Sequence, residues 1–402
     1  MGKFSKFFLF SVIVGAGTFF GKPFWNFVTN AQSPKVSCLR LSKNPNFKNV
    51  AEFDVAVESV CKLKDLKVFL NDKPLDIDVS KVVEKTFAKC EVVLDSSTLK
   101  DGNHEFKVVA VDGGYKAAIS VEKWNICVDN LPLRAELEKS DFKVMQGRTI
   151  HATIQTNKKI SEGFITFKGE KHKCVKVSEQ ANIYECFIPV ECDVRAGSTS
   201  LEVSLSDSVG NAVNATGSVK ILPADFSRYA NLSISSEKLQ DERENSVSNS
   251  ILESALEKWT QSSPDKKLWN GCFDLPTIVQ RYSTPFGEIR TTAEKGRYIH
   301  KAVDIVNSPR KVVWASQAGK IIIKERFMMT GNTVAVDHGM GVVTLYCHLD
   351  DYADIEIGDM VKKGNPVGTI GRTGYATGYH LHWELRVNNV AVDPLQWTQR
   401  TF

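Results

Sequence analysis

An internal repeat of about 95 residues constrains the fold of this chain more than any other feature. The segment "KCEVVLDSSTLKDGNHEFKVVAVDGGYKAAISV" matches "ECFIPVECDVRAGSTSLEVSLSDSVGNAVNATGSV" in order. Cys90 and Cys186 stand at corresponding points, with Gly102 following the first by 12 residues and Gly197 the second by 11. Each glycine precedes an alternating run, an aspartate and a glycine-containing turn. Alternation with a period of two places apolar side chains on one face of a strand. Runs such as "FDVAVESV", "LKVFL" and "HEFKVVAVD" are separated by turn formers such as "NDKP" and "KDGN". Seven or so short strands per repeat predict one β-sandwich over 35–128 and a second over 129–222.

A chain of 402 residues exceeds a single ordinary core. A net charge of +4 without a dense Lys/Arg stripe argues against a nucleic-acid partner. At the start, Lys3 and Lys6 precede the uncharged run Phe7 to Gly21, which spans roughly 22 Å as a helix, short of a bilayer core. Residues 1–31 therefore read as a secretory signal peptide or, given the aromatic "PFWNFV" that follows, as a membrane anchor. Either reading exports the rest of the chain, and nine cysteines without a CxxC pair agree with an oxidising compartment. Cys174 and Cys186 bracket a predicted hairpin, where a cross-strand bridge is expected.

The sandwich halves resemble bacterial immunoglobulin-like domains, on the D-x-x-G-N turn present as "DSVGN" and less faithfully as "DGGYK". His104, His151 and His172 are isolated on strands or turns there, and structural or solvated roles are expected of them. Between 223 and 267 the composition turns polar. Val247, Ile251, Leu252, Ala255, Leu256 and Trp259 then recur at helical spacing, with Ser246 or Ser248 as a cap. This predicts an amphipathic linker helix packed on a neighbouring domain; a mobile lid or partner-binding helix is the alternative. Residues 268–402 are glycine-rich and consist of short β-like runs.

Five of the eight histidines fall in that last region. In "HLHWELR" a strand would project His380 and His382 to one face and Leu381 to the other. "YIHKAVDIV" holds His300 and Asp304 four apart, and "TLYCHLDD" places His348 at a predicted strand end. Neutral imidazoles and a carboxylate suit Zn²⁺, and a catalytic zinc takes three protein ligands and leaves a position open. His300, Asp304 and one histidine of the pair make such a set. Strict alternation sends Cys347 to the face opposite His348, as a core thiol. Glu384 shares the face of His382, where either support of a ligand or a strand-edge salt bridge would suit it. His338 reads as a turn residue. The glycines of "GRTGYATGYH" lack the following helix and lysine of a phosphate cradle.

The order HxxxD, then Y-x-H-L, then G-x-H-L-H-[FW]-E resembles the M23 family of zinc metallopeptidases, the lysostaphin and LytM-type peptidoglycan endopeptidases. The resemblance covers roughly 268–398 and includes "YSTPFG" and "IGDMVKKGNPVGTIGRTG". It implies a mainly β protein: two tandem Ig-like sandwiches, a helical linker and an antiparallel-β peptidase domain over 268–402. It also implies His300, Asp304 and His382 as ligands of Zn²⁺, His348 and His380 as catalytic imidazoles, and peptidoglycan as partner and substrate. The expected location is the periplasm or cell envelope, with an inner-membrane tether if the N-terminus is retained. The alternative is a catalytically silent module that binds peptidoglycan or activates another wall hydrolase. The family pattern HxGxD carries Ala302 here in place of glycine, which would strain the turn if that residue needs a positive φ.

Overall fold

The computed structural model describes residues 32–232, 246–292 and 296–402. The expected signal or anchor at 1–31 lies outside them. Among the described residues no helix is long and apolar enough to cross a membrane. The protein is mainly β, and its contacts divide it into two units: residues up to 132 with 208–211, and 133–207 with 212–402.

In the first unit, a three-stranded sheet containing β1 (Val50–Glu58) and β2 (Phe87–Asp95) packs on a five-stranded sheet. The alternation of the sequence is obeyed closely. Along β2, Ala88, Cys90, Val92 and Leu94 are buried while the residues between them are exposed. One buried cluster, drawn from residues 36–126, fills the space between the sheets.

The second unit begins with the second copy of the repeat, again a five-stranded and a four-stranded sheet around one core. The four-stranded sheet contains β3 (Thr149–Thr156) and β4 (Ile183–Pro189). The correspondence read from the sequence is visible in the backbone. Gly102 and Gly197 each begin a long strand with positive φ, 132° and 144°, a conformation that a Cβ disfavours. All nine cysteines are free thiols. Cys174 and Cys186 are adjacent in the core but are not bridged, so the expected cross-strand disulfide is absent.

The predicted linker helix is α1 (Ser246–Gln261). Leu252 and Leu256 are buried against Ile322, Phe327, Val343 and Leu345 of the C-terminal sheet, each stabilising the contact by about 1.5–3 kcal/mol. Ile251, assigned to the same stripe from its spacing, is instead 52% exposed.

The C-terminal region is a ten-stranded sheet with a small three-stranded sheet beside it. Six of the seven strands that matter for the site come first in the chain. They are β5 (Arg281–Thr284), β6 (Ile289–Thr292), β7 (Gly296–Ile299), β8 (Val303–Val306), β9 (Gly331–Asp337) and β10 (Val342–Tyr352). A seventh, β11 (His380–Val387), lies between β8 and β10 in the sheet interior and is antiparallel to both. A short helix, α2 (Pro394–Gln399), closes the chain, with Asp393 capping it through Leu395 N–H. Phe187 of β4 is buried against Trp269, Trp397 and Phe402, so the second sandwich and the C-terminal sheet share an aromatic cluster.

Candidate metal centre

Register assembles the site. Asp304 of β8 is directly opposite His382 of β11, so both side chains rise from one face of the sheet. His300 follows β7; its N–H donates to Glu288 O at 2.9 Å, and its carbonyl accepts from Gly287 N–H at 2.8 Å. This hairpin aims the imidazole at the other two groups. His382 Nδ1 is 3.0 Å from Asp304 Oδ1, and His300 Nε2 is 3.2 Å from each of those atoms. The three donors thus form a nearly equilateral triangle. Zinc–ligand distances of about 2.1 Å in a tetrahedron place two donors about 3.4 Å apart, so the triangle has the right size for one such ion. Among the described residues this trio is the one group of His, Cys, Asp or Glu donors close enough to share a metal. Burial pushes Asp304 up, but the hydrogen bonds and charges of His300 and His382 outweigh it and hold the carboxyl well below the usual range. The carboxylate is therefore ionised, as a metal ligand must be.

Two further imidazoles border the triangle. The His348 and His380 rings are 4.9 Å apart, and His348 is 5.7 Å from His382. His380 Nε2 is 3.8 Å from Asp304 Oδ1. Each ring is held by a backbone carbonyl: His348 Nδ1 by Thr373 O and His380 Nδ1 by Gly378 O, both at 2.8 Å. A carbonyl can only accept, so both nitrogens carry the proton and both Nε2 atoms are left basic. Burial, reinforced by His382 and His380, pushes His348 down to about 3, so it is neutral at ordinary pH. His300 follows the same rule in weaker form, its Nδ1 lying 3.5 Å from Pro285 O and leaving Nε2 for the triangle. None of these carbonyl partners is identifiable from residue type.

His348 corrects two expectations. It does not end its strand: β10 continues to Tyr352, and His348 has φ 59° within it. The register between β9 and β10 shifts there, so that Cys347 and His348 together oppose Thr333. This is a β-bulge, which re-aims a side chain. Cys347 is opposite His382 and therefore shares its face, contrary to the alternation argument. It is still a core thiol, because α1 covers it with Leu252 and Leu256, and burial raises its pKa far above the ordinary thiol value. Gly371 lets the following loop close over the bulge. A Cβ there would lie 2.2 Å from Asp350 N and 2.5 Å from His348 O.

The other singled-out residues are also placed. Ala302 is fully buried and is not among the residues with positive φ, so the missing glycine leaves no strained turn. His338 is in the core, bonded to Ala318 O and Thr344 Oγ1 at 2.8 Å each. Glu384 is on an interior strand, not an edge; it accepts from Arg386 Nε at 2.6 Å and approaches His382 Nε2 to 4.0 Å.

The profile of Peptidase family M23 matches residues 298–394. The DD-carboxypeptidase/endopeptidase Mpg of Neisseria meningitidis serogroup B is 36% identical over 126 residues, 31% of this chain and 29% of that protein. The peptidoglycan DD-endopeptidase ShyC of Vibrio cholerae is 32% identical over 120 residues, 30% of this chain and 28% of that one. The chain thus matches less than a third of the length of these curated relatives. A solved structure from Pseudomonas aeruginosa described as an M23 peptidase covers 63% of this chain and 94% of its own, at 22% identity and a TM-score of 0.47.

Proposed function

We propose that this chain, which carries a Peptidase family M23 domain at its C-terminus, is a zinc-dependent endopeptidase that cuts peptide bonds in the stems or cross-links of bacterial peptidoglycan. The observation that carries the reading is the His300–Asp304–His382 triangle with two carbonyl-anchored imidazoles beside it. The relatives named for peptidoglycan endopeptidase activity supply the substrate class. Placement in the cell envelope follows from that substrate.

His300 through Nε2, Asp304 through its carboxylate and His382 through Nδ1 would hold the ion, and His348 and His380 are the catalytic imidazoles. Zinc, when bound, supplies a Lewis acid for the scissile carbonyl and acidifies water toward neutral pH. The chain's own groups do the rest. One Nε2 takes the proton of the attacking water and returns it to the leaving amine. The other, once protonated, donates to the developing oxyanion. The carbonyls of Thr373 and Gly378 hold both rings with Nδ1–H and a free Nε2, the form the base requires; the oxyanion donor acts after its Nε2 has taken a proton from solvent.

The test uses the full chain. It should bind one zinc ion and release new free amino groups from purified sacculi. Asp304→Ala should lose both properties, and His348→Ala should keep the metal and lose cleavage by a factor of about 10²–10⁴. Zinc binding without any cleavage by the unaltered chain would defeat the hydrolase reading and favour a silent peptidoglycan-binding module.

A further inference from the structure

The helix α1 is joined to the metal centre by a chain of charge. Arg386 of β11 is the middle link. Its Nε donates to Glu384 Oε1 at 2.6 Å. Its Nη1 and Nη2 donate to the two carboxylate oxygens of Glu253, on α1, at 2.5 and 2.8 Å. A third partner, Asn389 Oδ1, lies 3.1 Å from Nη1. The Arg386 side chain is only 11% exposed, and the fork on Glu253 is bidentate, the geometry that fixes a guanidinium most firmly. Glu384, 9% exposed, is thereby held with its second oxygen, Oε2, 4.0 Å from His382 Nε2.

The orientation of His382 gives this chain a purpose. Its Nδ1 faces Asp304 and His300, so its Nε2 is the nitrogen that carries hydrogen when Nδ1 binds an ion. A histidine ligand characteristically donates that hydrogen to a carboxylate, which fixes the ring and makes the bound nitrogen more basic. His382, Glu384 and Arg386 succeed one another on one face of β11, opposite Cys347, Leu345 and Val343 of β10, and α1 lies over that face through Leu252 and Leu256.

We infer that Glu384 is a positioning residue for the ligand His382, and that Arg386 and Glu253 hold Glu384 in place, so that the docking of α1 sets the affinity of the site for its metal. The inference rests on the metal reading above and adds to it a dependence on a residue outside the peptidase sheet. Glu253 is 133 positions away from Arg386 in the chain and touches no ligand.

Zinc affinity of the full chain, measured by competition with a chromophoric chelator, tests this. Glu384→Ala should weaken zinc binding about 10- to 100-fold. Glu253→Gln, at a side chain that is 55% exposed, should weaken it in the same direction by a smaller factor. Because the two act in series, the double variant should bind no more weakly than Glu384→Ala alone. Glu253→Asp, which retains the charge, should restore part of the loss. The thermal midpoint of the metal-free chain is read alongside. An affinity for Glu253→Gln equal to the unaltered chain, or a lowered midpoint with unchanged affinity, would overturn the inference. Failure of the unaltered chain to bind zinc at all would instead remove the metal reading on which it stands.

Discussion

The two copies of the repeat differ at the cross-strand pair next to the matched cysteines. In the first sandwich Val55 of β1 is opposite Cys90 of β2, and the next pair along is Asp54 and Glu91, both exposed. In the second, Ala152 of β3 is opposite Cys186 of β4, and the corresponding next pair is His151 and Phe187. These two rings stack 4.9 Å apart at 18°. Phe187 is 2% exposed, against Trp269, Trp397 and Phe402. The inner faces are alike, and the difference lies on the outer face. Like charges opposite one another keep a sheet face in water, whereas an aromatic there supplies apolar area for a second layer. One scaffold thus leaves this strand pair facing water in one copy and uses it to support the C-terminal sheet in the other.

Phe187→Glu, which puts the first copy's residue into the second, should break this distinction most severely. It removes a buried phenyl group, worth about 3–5 kcal/mol, and leaves a carboxylate facing Trp269 and Trp397. Thermal unfolding of the full chain should show the second unit losing most of its stability and the first unit unaffected. An unchanged midpoint would mean that the shared aromatic cluster does not hold the second sandwich to the sheet.

Acid should separate the two copies next. The first sandwich has one histidine, His104, bonded near the surface to Asn71 and to Lys100 O. The second unit has His172 and His338, both buried, which burial pushes down to about 4. His172 Nδ1 also lies 3.2 Å from Asn388 Nδ2, which donates to it and requires an unprotonated nitrogen. Between the unfolded value near 6.5 and the folded value of about 4, the unfolded chain takes up protons that the folded chain refuses. The stability these residues contribute is therefore complete above pH 6.5 and falls as pH drops through that window, by up to about 3 kcal/mol for each. Unfolding followed by fluorescence and by urea from pH 7 to pH 4 should show the second unit weakening first. Equal loss in both units would contradict the assignment.

These contrasts also mark what the sequence could reveal. The period of two was enough to pair His380 with His382, because a regular strand obeys it, and the helical spacing of Leu252 and Leu256 was enough to place α1 and its buried side. His348 was not accessible in the same way. Its direction depends on a bulge fixed by the register of β10 against β9, so local alternation misassigned Cys347. Glu253 and Arg386 were missed because each looks like an ordinary surface charge until a helix and a strand far apart in the chain meet. Phe187 did leave a signal. "ECFIPVE" is apolar at five successive positions, whereas "KCEVVLD" puts the charged Glu91 where the other has Phe187, and a strand apolar on both faces is covered on both.

The smallest effect is expected from the reverse exchange, Glu91→Phe. Nothing in the first sandwich's buried cluster reaches that face, so the new ring would gain no partner comparable to Trp269. Removing one of two like charges from the Asp54–Glu91 pair gives a small gain, and exposing a phenyl group to water offsets it. The sum should stay within about 0.5 kcal/mol, as for most surface substitutions. Paired with the loss expected from Phe187→Glu, this asymmetry is the sharpest statement of the comparison. If Glu91→Phe instead raised the midpoint of the first unit by many degrees, that outer face would have a packing partner, and the distinction between an exposed and a supporting outer face would fail.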